Sequence, residues 1–307
     1  MRSFFSHLLL KPILIAKILK VKTLTSIPMN FTWSWLLFTE TERHLLKNGF
    51  KGMNRINPSI SIIVIHHNPN RFSWLIECIE TLQSQIYGEF EIVVITNYEL
   101  PSNLNRSLKE LKVANVYFFK NSHPSQARNF GIGKCKSQLV MFIDDDNLLL
   151  PWHVLFMVQA YHSDPEASIF LGSYMCFQNE TVTDFPLRYA VNRRTLVIGD
   201  PSDVSSIAMK KSSFPAIHWD DEVMSENWAF LIDALDMNFK VHQISAPLSL
   251  HRNHFNSRTE MIQRPLVPKD WFNKYRNQID WGFVVPDSTR KAKILKVIFA
   301  LRMTLDS

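Results

Sequence analysis

Three consecutive carboxylates, Asp144, Asp145 and Asp146, are the residues of this sequence whose types and spacing most clearly indicate chemistry. They follow five apolar residues, Leu139 to Ile143, and they precede Asn147. An unbroken apolar run of this length is typical of a strand buried on both faces of a parallel sheet. In open α/β sheets, ligands bind beyond the carboxyl ends of the strands. The triplet is therefore predicted to lie at the ligand-binding edge of a sheet.

The chemistry of such a triplet depends on how its charges are neutralised. Adjacent carboxylates raise each other's pKa unless a cation relieves their repulsion. Mg²⁺ binds to one or two carboxylates and leaves coordination positions for substrate phosphates. If the segment stays extended, Asp144 and Asp146 point to one side and Asp145 to the other. The triplet predicts a metal and diphosphate site, and a solvated acidic loop is the alternative interpretation.

The composition limits the class of protein. The chain has 307 residues, a length that is enough for one large domain or two small ones. With 46% hydrophobic and 20% charged residues, its composition is not typical of a disordered chain. The net charge of +6 favours an anionic partner, such as a phosphorylated substrate, a nucleic acid or an anionic membrane. Cys78, Cys135 and Cys176 are far apart, which fits a reducing compartment and argues against a disulfide scaffold or a zinc site.

Basic amphipathic segments occur at both ends of the chain. In residues 1–57, lysines and Pro12 interrupt the apolar run, so a membrane-spanning helix is not predicted. Residues 258–307 contain a similar segment, Thr289 to Leu305. Together they predict association with an anionic membrane surface, although a helix packed on the protein's own core is an alternative for the N-terminal segment. With the basic residues concentrated there and no RNA-binding motif present, nucleic acid is not predicted as a partner.

Strand and helix patterns alternate in the segment between these ends, residues 58–257. The predicted strands are 60–65, 91–95, 116–119, 139–143, 168–177, 204–209 and an edge strand at 239–244. The predicted helices are 72–82 (capped by Asn70), 104–111, 126–136, 151–161 and a helix that begins after Ser225, and residues 179–201 are predicted to form an irregular loop. This alternation favours βαβ units and a parallel sheet.

The order of these segments resembles family 2 glycosyltransferases of the GT-A fold. The resemblance is carried by SIIVIHHN, EIVVI, SQARNFGIGKCKSQLVMFIDDDN, FPAIHWDDEVMSENWAFLIDALDMNFKV and LSLHRNH, all between residues 59 and 257. It implies an α/β, Rossmann-like mixed sheet of GT-A type, with parallel central strands and helices on both faces. It also implies transfer of a sugar, with inversion, from a UDP-linked nucleotide sugar to a glycan or lipid-linked acceptor. The cofactor would be Mn²⁺ or Mg²⁺. The reaction would take place at the cytoplasmic face of the cytoplasmic membrane.

The resemblance also implies which residues bind the nucleotide sugar and the metal. Those assigned to the nucleotide sugar are His66, Asn68, Thr96, Asn97, Arg128, Asn129, Asp144 and Asp145. The family usually has an aspartate where Thr96 and Asn97 stand, and that aspartate pairs with uracil, so the base preference stays open. Asp144 and Asp146 match the DxD motif, and the metal ligands implied are Asp144, Asp146 and His254.

The general base is the position at which the sequence departs most from this family. A carboxylate near the acceptor must take the proton of the attacking hydroxyl. In the family it is the aspartate of an ED pair at the start of a helix, but here the pair is Glu226–Asn227, and an amide does not accept a proton at neutral pH. Glu226 is one candidate, although it could instead stabilise the helix dipole. The other candidates are Asp220, Asp221 and Glu222. The departures at residues 96–97 and 227 also keep open a weak or inactive relative, a nucleotide-binding or scaffolding subunit of a glycan assembly complex.

Overall fold

The computed structural model describes residues 58–120, 123–178, 181–184, 191–192, 196, 202–220 and 226–254, with the backbone alone for 181–184. The terminal segments 1–57 and 258–307 lie outside these residues, so their basic amphipathic segments and the domain boundaries stay predictions. Most of the predicted loop at 179–201 also lies outside them, but Thr181–Asp184 forms a strand where no strand was predicted.

All strands of the described residues belong to one sheet. Their bounds are β1 Ile60–His66, β2 Glu91–Thr96, β3 Asn115–Phe118, β4 Leu139–Asp144, β5 Leu148–Leu149, β6 Ile169–Gln178, β7 Thr181–Asp184, β8 Ile207–Lys210 and β9 Val241–Arg252. Their order is β3-β2-β1-β4-β8-β6-β9-β5, with β7 paired to β6. Strands β3, β2, β1 and β4 are parallel to one another, and β8 is antiparallel to β4. The sheet is therefore mixed with parallel central strands, as predicted.

Helices cover both faces of this sheet. Their bounds are α1 Phe72–Gln83, α2 Ser102–Glu110, α3 Pro124–Lys134, α4 His153–Ser163 and α5 Glu226–Asp236. Successive side chains of β1 point to opposite faces. Ile62 and Val64 lie in a core with residues of α1 and α4, whereas Ile63 and Ile65 lie in a second core with residues of α3 and α5. The predicted fold class, α/β with helices on both faces, is confirmed.

The register of the parallel strands brings their carboxyl ends to one edge. His66 at the end of β1 pairs with Thr96 at the end of β2, and Ile65 pairs with Asp144 at the end of β4. Strand β4 lies between β1 and β8, and its apolar residues are fully buried. The strand that places Asp144 at this edge is thus held by a neighbouring strand on each side and by helices on both faces.

The last strand differs from its prediction. Residues 239–244 were expected to form an edge strand, but β9 is 12 residues long and lies between β6 and β5. Strand β5 has only two residues, too few for a recognisable pattern, and it pairs with the second half of β9. This pairing extends β9 as far as Arg252, which lies next to the acidic triplet.

Two smaller predictions were also wrong. Asn70 does not cap α1, which has no side-chain cap: a 3₁₀ turn at Pro69–Arg71 precedes the helix, and the cap of that turn is Asn68, whose side chain accepts from the amide nitrogen of Asn70 at 3.0 Å. The predicted strand 204–209 is divided into a 3₁₀ turn, Val204–Ser206, and β8. Among the described helices, none combines the length and the apolar character that crossing a membrane requires.

Candidate active site

The chain turns immediately after β4, so the acidic triplet is not extended. The amide nitrogen of Asn147 donates to the carbonyl oxygen of Asp144 at 3.1 Å, which closes a turn over Asp145 and Asp146. The extended segment on which the prediction for Asp144 and Asp146 depended is therefore absent. Instead, each carboxylate binds a different partner.

Asp144 is paired with a buried arginine that also reaches the start of α5. Nη2 of Arg128 lies 2.8 Å from Oδ1 of Asp144, and Nη1 lies 3.2 Å from Oε1 of Glu226. The guanidinium also packs 4.8 Å from the ring centre of Trp219. Burial raises the pKa of Asp144 to about 6, although Arg128 opposes this rise. For Arg128, burial alone would lower the pKa, but Asp144 and Glu226 raise it, so the guanidinium stays charged.

Asp145 binds a fully buried histidine. Its Oδ2 contacts Nδ1 of His66, and Nε2 of the same ring contacts the hydroxyl of Tyr98. Burial raises the pKa of Asp145, and the hydrogen bond with His66 opposes it. His66 has no exposed surface, and in this structure its ring holds Asp145 in place. Its predicted contact with the nucleotide sugar stays a prediction.

Asp146 lies between an arginine and a histidine. Its Oδ2 is 2.9 Å from Nη1 of Arg71 and 3.2 Å from Nε2 of His254. Burial would raise the pKa of Asp146, but the hydrogen bond with His254 and the charge of Arg71 hold it below its usual value. The carboxylate is therefore ionised at neutral pH. Among the three aspartates, Asp146 is the one that meets the predicted histidine ligand.

A second cluster of polar side chains, joined by hydrogen bonds to Asn147, holds the turn in place. Nδ2 of Asn147 donates to both carboxylate oxygens of Asp203, at 3.2 and 3.3 Å, and its Oδ1 accepts from the amide nitrogen of Arg252 at 3.1 Å. Nδ1 of His251 lies 3.3 Å from Asp203. Sequence reasoning missed Asp203, because it follows an irregular segment with no pattern of its own. The one indication of Asp203 would have been that a buried Asn147 needs a hydrogen-bond partner.

The residues predicted after β2 and β1 lie at the same edge. The hydroxyl of Thr96 donates to the carbonyl oxygen of Tyr98 at 3.0 Å and also lies 3.3 Å from its amide nitrogen, which closes a turn. Asn97 is half-buried beside it, and Asn68 is half-buried at the end of β1. The Thr96 hydroxyl is bound to the backbone of Tyr98, and the predicted contacts of Thr96 and Asn97 with the nucleotide sugar stay predictions.

Asn129 has a role that the sequence did not indicate. Its Nδ2 donates to the carbonyl oxygen of Trp219 and its Oδ1 accepts from the amide nitrogen of Trp219, each at 2.9 Å. Both ends of the amide are thus bound to the backbone, and Trp219 stacks on Phe230 of α5. In this structure Asn129 fixes Trp219 beneath Arg128. Its predicted contact with the nucleotide sugar stays a prediction.

The candidates for the general base are only partly described. Glu226 is the first residue of α5, is 9% exposed and binds Arg128. The neighbouring Asn227 has a buried Oδ1 without a hydrogen-bond partner in the described part of the chain. Asp221 and Glu222 lie outside the described residues, whereas Asp220 is half-buried near Trp219.

The donor atoms at Asp146 fit a divalent cation shared with phosphates. Within the described residues, no group of three or more His, Cys, Asp or Glu side chains is arranged to hold a metal ion. Asp146 and His254 offer two donor atoms 3.2 Å apart, close to the spacing of two ligands that each lie about 2.1 Å from one ion. Mg²⁺ commonly takes so few protein ligands when phosphates supply the others. Asp144, whose carboxylate binds Arg128, is not gathered with them.

The fold and this edge define an α/β protein with a polar site at the carboxyl ends of its parallel strands, and comparison with known proteins identifies its family. The model of glycosyl transferase family 2 matches residues 61–214, half of the chain. The chain belongs to this family. The fold is also that of TarS from S. aureus: residues 1–349 of TarS, in complex with UDP-GlcNAc, match with a TM-score of 0.55 and 16% identity, over 71% of this chain and 65% of that one.

Relatives of known sequence agree with this assignment. An uncharacterized glycosyltransferase of Rickettsia bellii is 31% identical over 109 residues, which is 35% of this chain and 16% of that protein. The glycosyltransferase YwdF of Bacillus subtilis is 29% identical over 42% of this chain and 47% of its own length. The O-antigen biosynthesis glycosyltransferase WbnJ of Escherichia coli is 26% identical over 32% and 39%. The chain thus spans less than half the length of these relatives.

The stability of the turn is expected to depend on pH through His251. Burial would lower the pKa of His251, but the hydrogen bond to Asp203 and the nearby carboxylates raise it to about 9. A raised histidine pKa stabilises the fold fully below the unfolded value of about 6.5, and this contribution is lost as the pH rises towards 9. The free energy of unfolding in urea should therefore fall between these pH values. His251→Gln should flatten this fall, and His218→Gln, at an exposed histidine, should not. An equal slope in all three proteins would contradict the assignment.

Proposed function

We propose that this protein transfers a sugar from a UDP-sugar to a glycan or a lipid-linked acceptor, with inversion at the anomeric carbon. The observation that carries the proposal is the convergence of Asp146 and His254 at the edge where β1, β2 and β4 end. Ligands of open α/β sheets bind at this edge. Two similarities support the choice of substrates: TarS has been solved with UDP-GlcNAc, and WbnJ is named for O-antigen biosynthesis.

The proposed cofactor is Mn²⁺ or Mg²⁺, held by Asp146 and His254. Bound there, it would supply positive charge to the nucleoside diphosphate as the bond to the sugar breaks. Asp146 is suited to this position because the cations around it keep it ionised. Asp144 is proposed to contact the donor instead, since its side chain is 35% exposed on the side not taken by Arg128.

Glu226 is the described carboxylate that best suits the general base. The first turn of α5 places it next to Arg128, which links it to the end of β4. A base must lie within hydrogen-bond reach of the acceptor hydroxyl while the donor is bound. Asn227, at the position that is usually acidic, would offer an acceptor for a hydroxyl proton without taking it.

Binding of the donor product tests the site directly. In calorimetric titrations, UDP should bind in the presence of Mn²⁺, and chelation of the metal should weaken binding by about 10-fold or more, since a cation held by Asp146 and His254 would supply positive charge to the diphosphate. Asp146→Asn should weaken it similarly, because it removes one charge while keeping the shape. Asp164→Asn, which removes a carboxylate paired with Lys240, is the matched control and should bind UDP as the original protein does.

The result also decides between nucleotide bases, and between a transferase and a scaffolding subunit. If UDP gives no heat but another nucleoside diphosphate does, the base preference has changed with Asn97, and the transferase proposal stands. If no nucleotide binds to the folded protein, the proposal fails, and the scaffolding subunit is favoured.

Turnover separates an enzyme from an inactive nucleotide-binding relative. With UDP-GlcNAc as the donor probe and water as the acceptor, the protein should release UDP slowly. Glu226→Gln should lower this rate by about 100-fold, the typical contribution of a general base, while UDP binding is kept. Asp236→Asn, at the other end of α5, is the control and should release UDP at the original rate. If release is absent, or is unchanged in Glu226→Gln, Glu226 is not the base.

Association with the cytoplasmic face of the membrane is proposed from the sequence of the two ends. Lysines among apolar residues favour binding at an anionic surface over insertion through it. The chain without residues 1–30 should therefore bind less to vesicles that contain anionic lipid, measured by co-sedimentation. Neutral vesicles are the control and should bind neither protein strongly. Unchanged binding of the shortened chain to anionic vesicles would show that this segment is not the anchor.

A further inference from the structure

Arg71 occupies the atoms that a metal ion would need. It ends the 3₁₀ turn that follows β1, and its guanidinium lies 5.2 Å from the ring centre of Trp74. Nη1 is 2.9 Å from Oδ2 of Asp146, and Nη2 is 3.3 Å from Nε2 of His254. These are the same oxygen and the same nitrogen that face each other at 3.2 Å.

A guanidinium and a metal ion cannot use these atoms in the same way at the same time. Nε2 of His254 serves one of its two neighbours at a time: with a proton it donates to Oδ2 of Asp146, and only without a proton does it offer a lone pair to Nη2 of Arg71. A bound cation requires that same lone pair. On Asp146, Nη1 and a cation would likewise compete for Oδ2. Binding of the metal therefore requires Arg71 to move.

The surroundings allow Arg71 to move but hold the other arginines. The side chain of Arg71 is 25% exposed, whereas that of Arg128 is 3% exposed and lies between Asp144 and Glu226. Arg252 is held at both ends of its guanidinium: Nε donates to the carbonyl oxygen of Asp146 at 2.9 Å, and Nη2 donates to Glu77 at 2.7 Å. Arg252 would therefore keep the turn in place while Arg71 leaves it.

We propose that Arg71 is the resident counter-ion of the metal site: it binds Asp146 and lies against His254 when no divalent cation is present, and it pairs with the diphosphate of the donor when the cation displaces it. The inference rests on the proposed function of this edge. One guanidinium that faces both Oδ2 of Asp146 and Nε2 of His254 is the arrangement that carries it. It also places a mobile, bidentate donor beside the phosphates, for which a guanidinium is well suited.

The test measures Mn²⁺ binding without nucleotide, by the electron paramagnetic resonance signal of free Mn²⁺. Arg71→Gln should bind Mn²⁺ about 10-fold more tightly than the original protein, because a competing positive charge has been removed. Arg71→Lys keeps the charge and should give an intermediate affinity. Arg106→Gln, at an exposed arginine of α2, has the same change of charge and should not alter the affinity. Circular dichroism establishes that each variant is folded.

A second measurement follows Arg71 after displacement. At saturating Mn²⁺, UDP should bind Arg71→Gln about 5-fold more weakly, because the diphosphate has lost one charged partner. Tighter Mn²⁺ binding with weaker UDP binding supports the proposal in full. Tighter Mn²⁺ binding with unchanged UDP binding would overturn the role at the diphosphate.

The remaining outcomes separate this inference from the proposed function. If Mn²⁺ binds, is lost in Asp146→Asn and is unchanged in Arg71→Gln, the metal site stands and the role of Arg71 is overturned. If neither the original protein nor Arg71→Gln binds Mn²⁺ or UDP, the proposed site itself is wrong. If UDP binds without Mn²⁺, and Arg71→Gln weakens this binding, the donor site stands as one served by Arg71 in place of a metal, and the displacement by metal is overturned.

Discussion

Separate neutralisation of three adjacent carboxylates is the constraint on which the rest of this edge depends. Charges so close together and partly withdrawn from water are costly unless each has its own partner. The turn after β4 solves this by sending Asp144 to Arg128, Asp145 to His66 and Asp146 to Arg71 and His254. The partners come from three separate parts of the chain: the end of β1 with the turn after it, α3, and the residues after β9. The acidic triplet therefore joins the two halves of the sheet by charge, and not only by backbone pairing.

The strands and helices of the first half were largely visible in the sequence. Buried parallel strands give continuous apolar runs, such as Leu139 to Ile143, and helices that cover them give a regular apolar period. The second half was less visible. Strand β5 is two residues long, and the place of β9 between β6 and β5 depends on that short strand, which has no pattern of its own. Local residue types cannot reveal a pairing whose partner is so short.

The candidate site divides in the same way. A motif in one segment, such as the acidic triplet, could be recognised, and the resemblance to the family indicated His254, which the structure brings to Asp146. Contacts between distant segments could not be predicted. Asp203 supports the turn through Asn147, and Arg71 reaches Asp146 from the end of β1. The alternation rule does not apply from Asp144 to Asp146, because the chain turns there once the strand has left the sheet.

The link from Arg128 to Glu226 bears on how the departure at Asn227 should be understood. Asn129 binds the backbone of Trp219, Trp219 packs between Arg128 and Phe230, and Arg128 binds Glu226 at the start of α5. Removing one member of a buried ion pair typically costs about 3–5 kcal/mol, so this chain of contacts holds the start of α5 firmly against the end of β4. The helix is thus kept in place whether residue 227 is acidic or not. The replacement of the usual carboxylate by an amide changes one functional group on a retained framework, and the carboxylate that remains on it, Glu226, is the one that the framework itself positions.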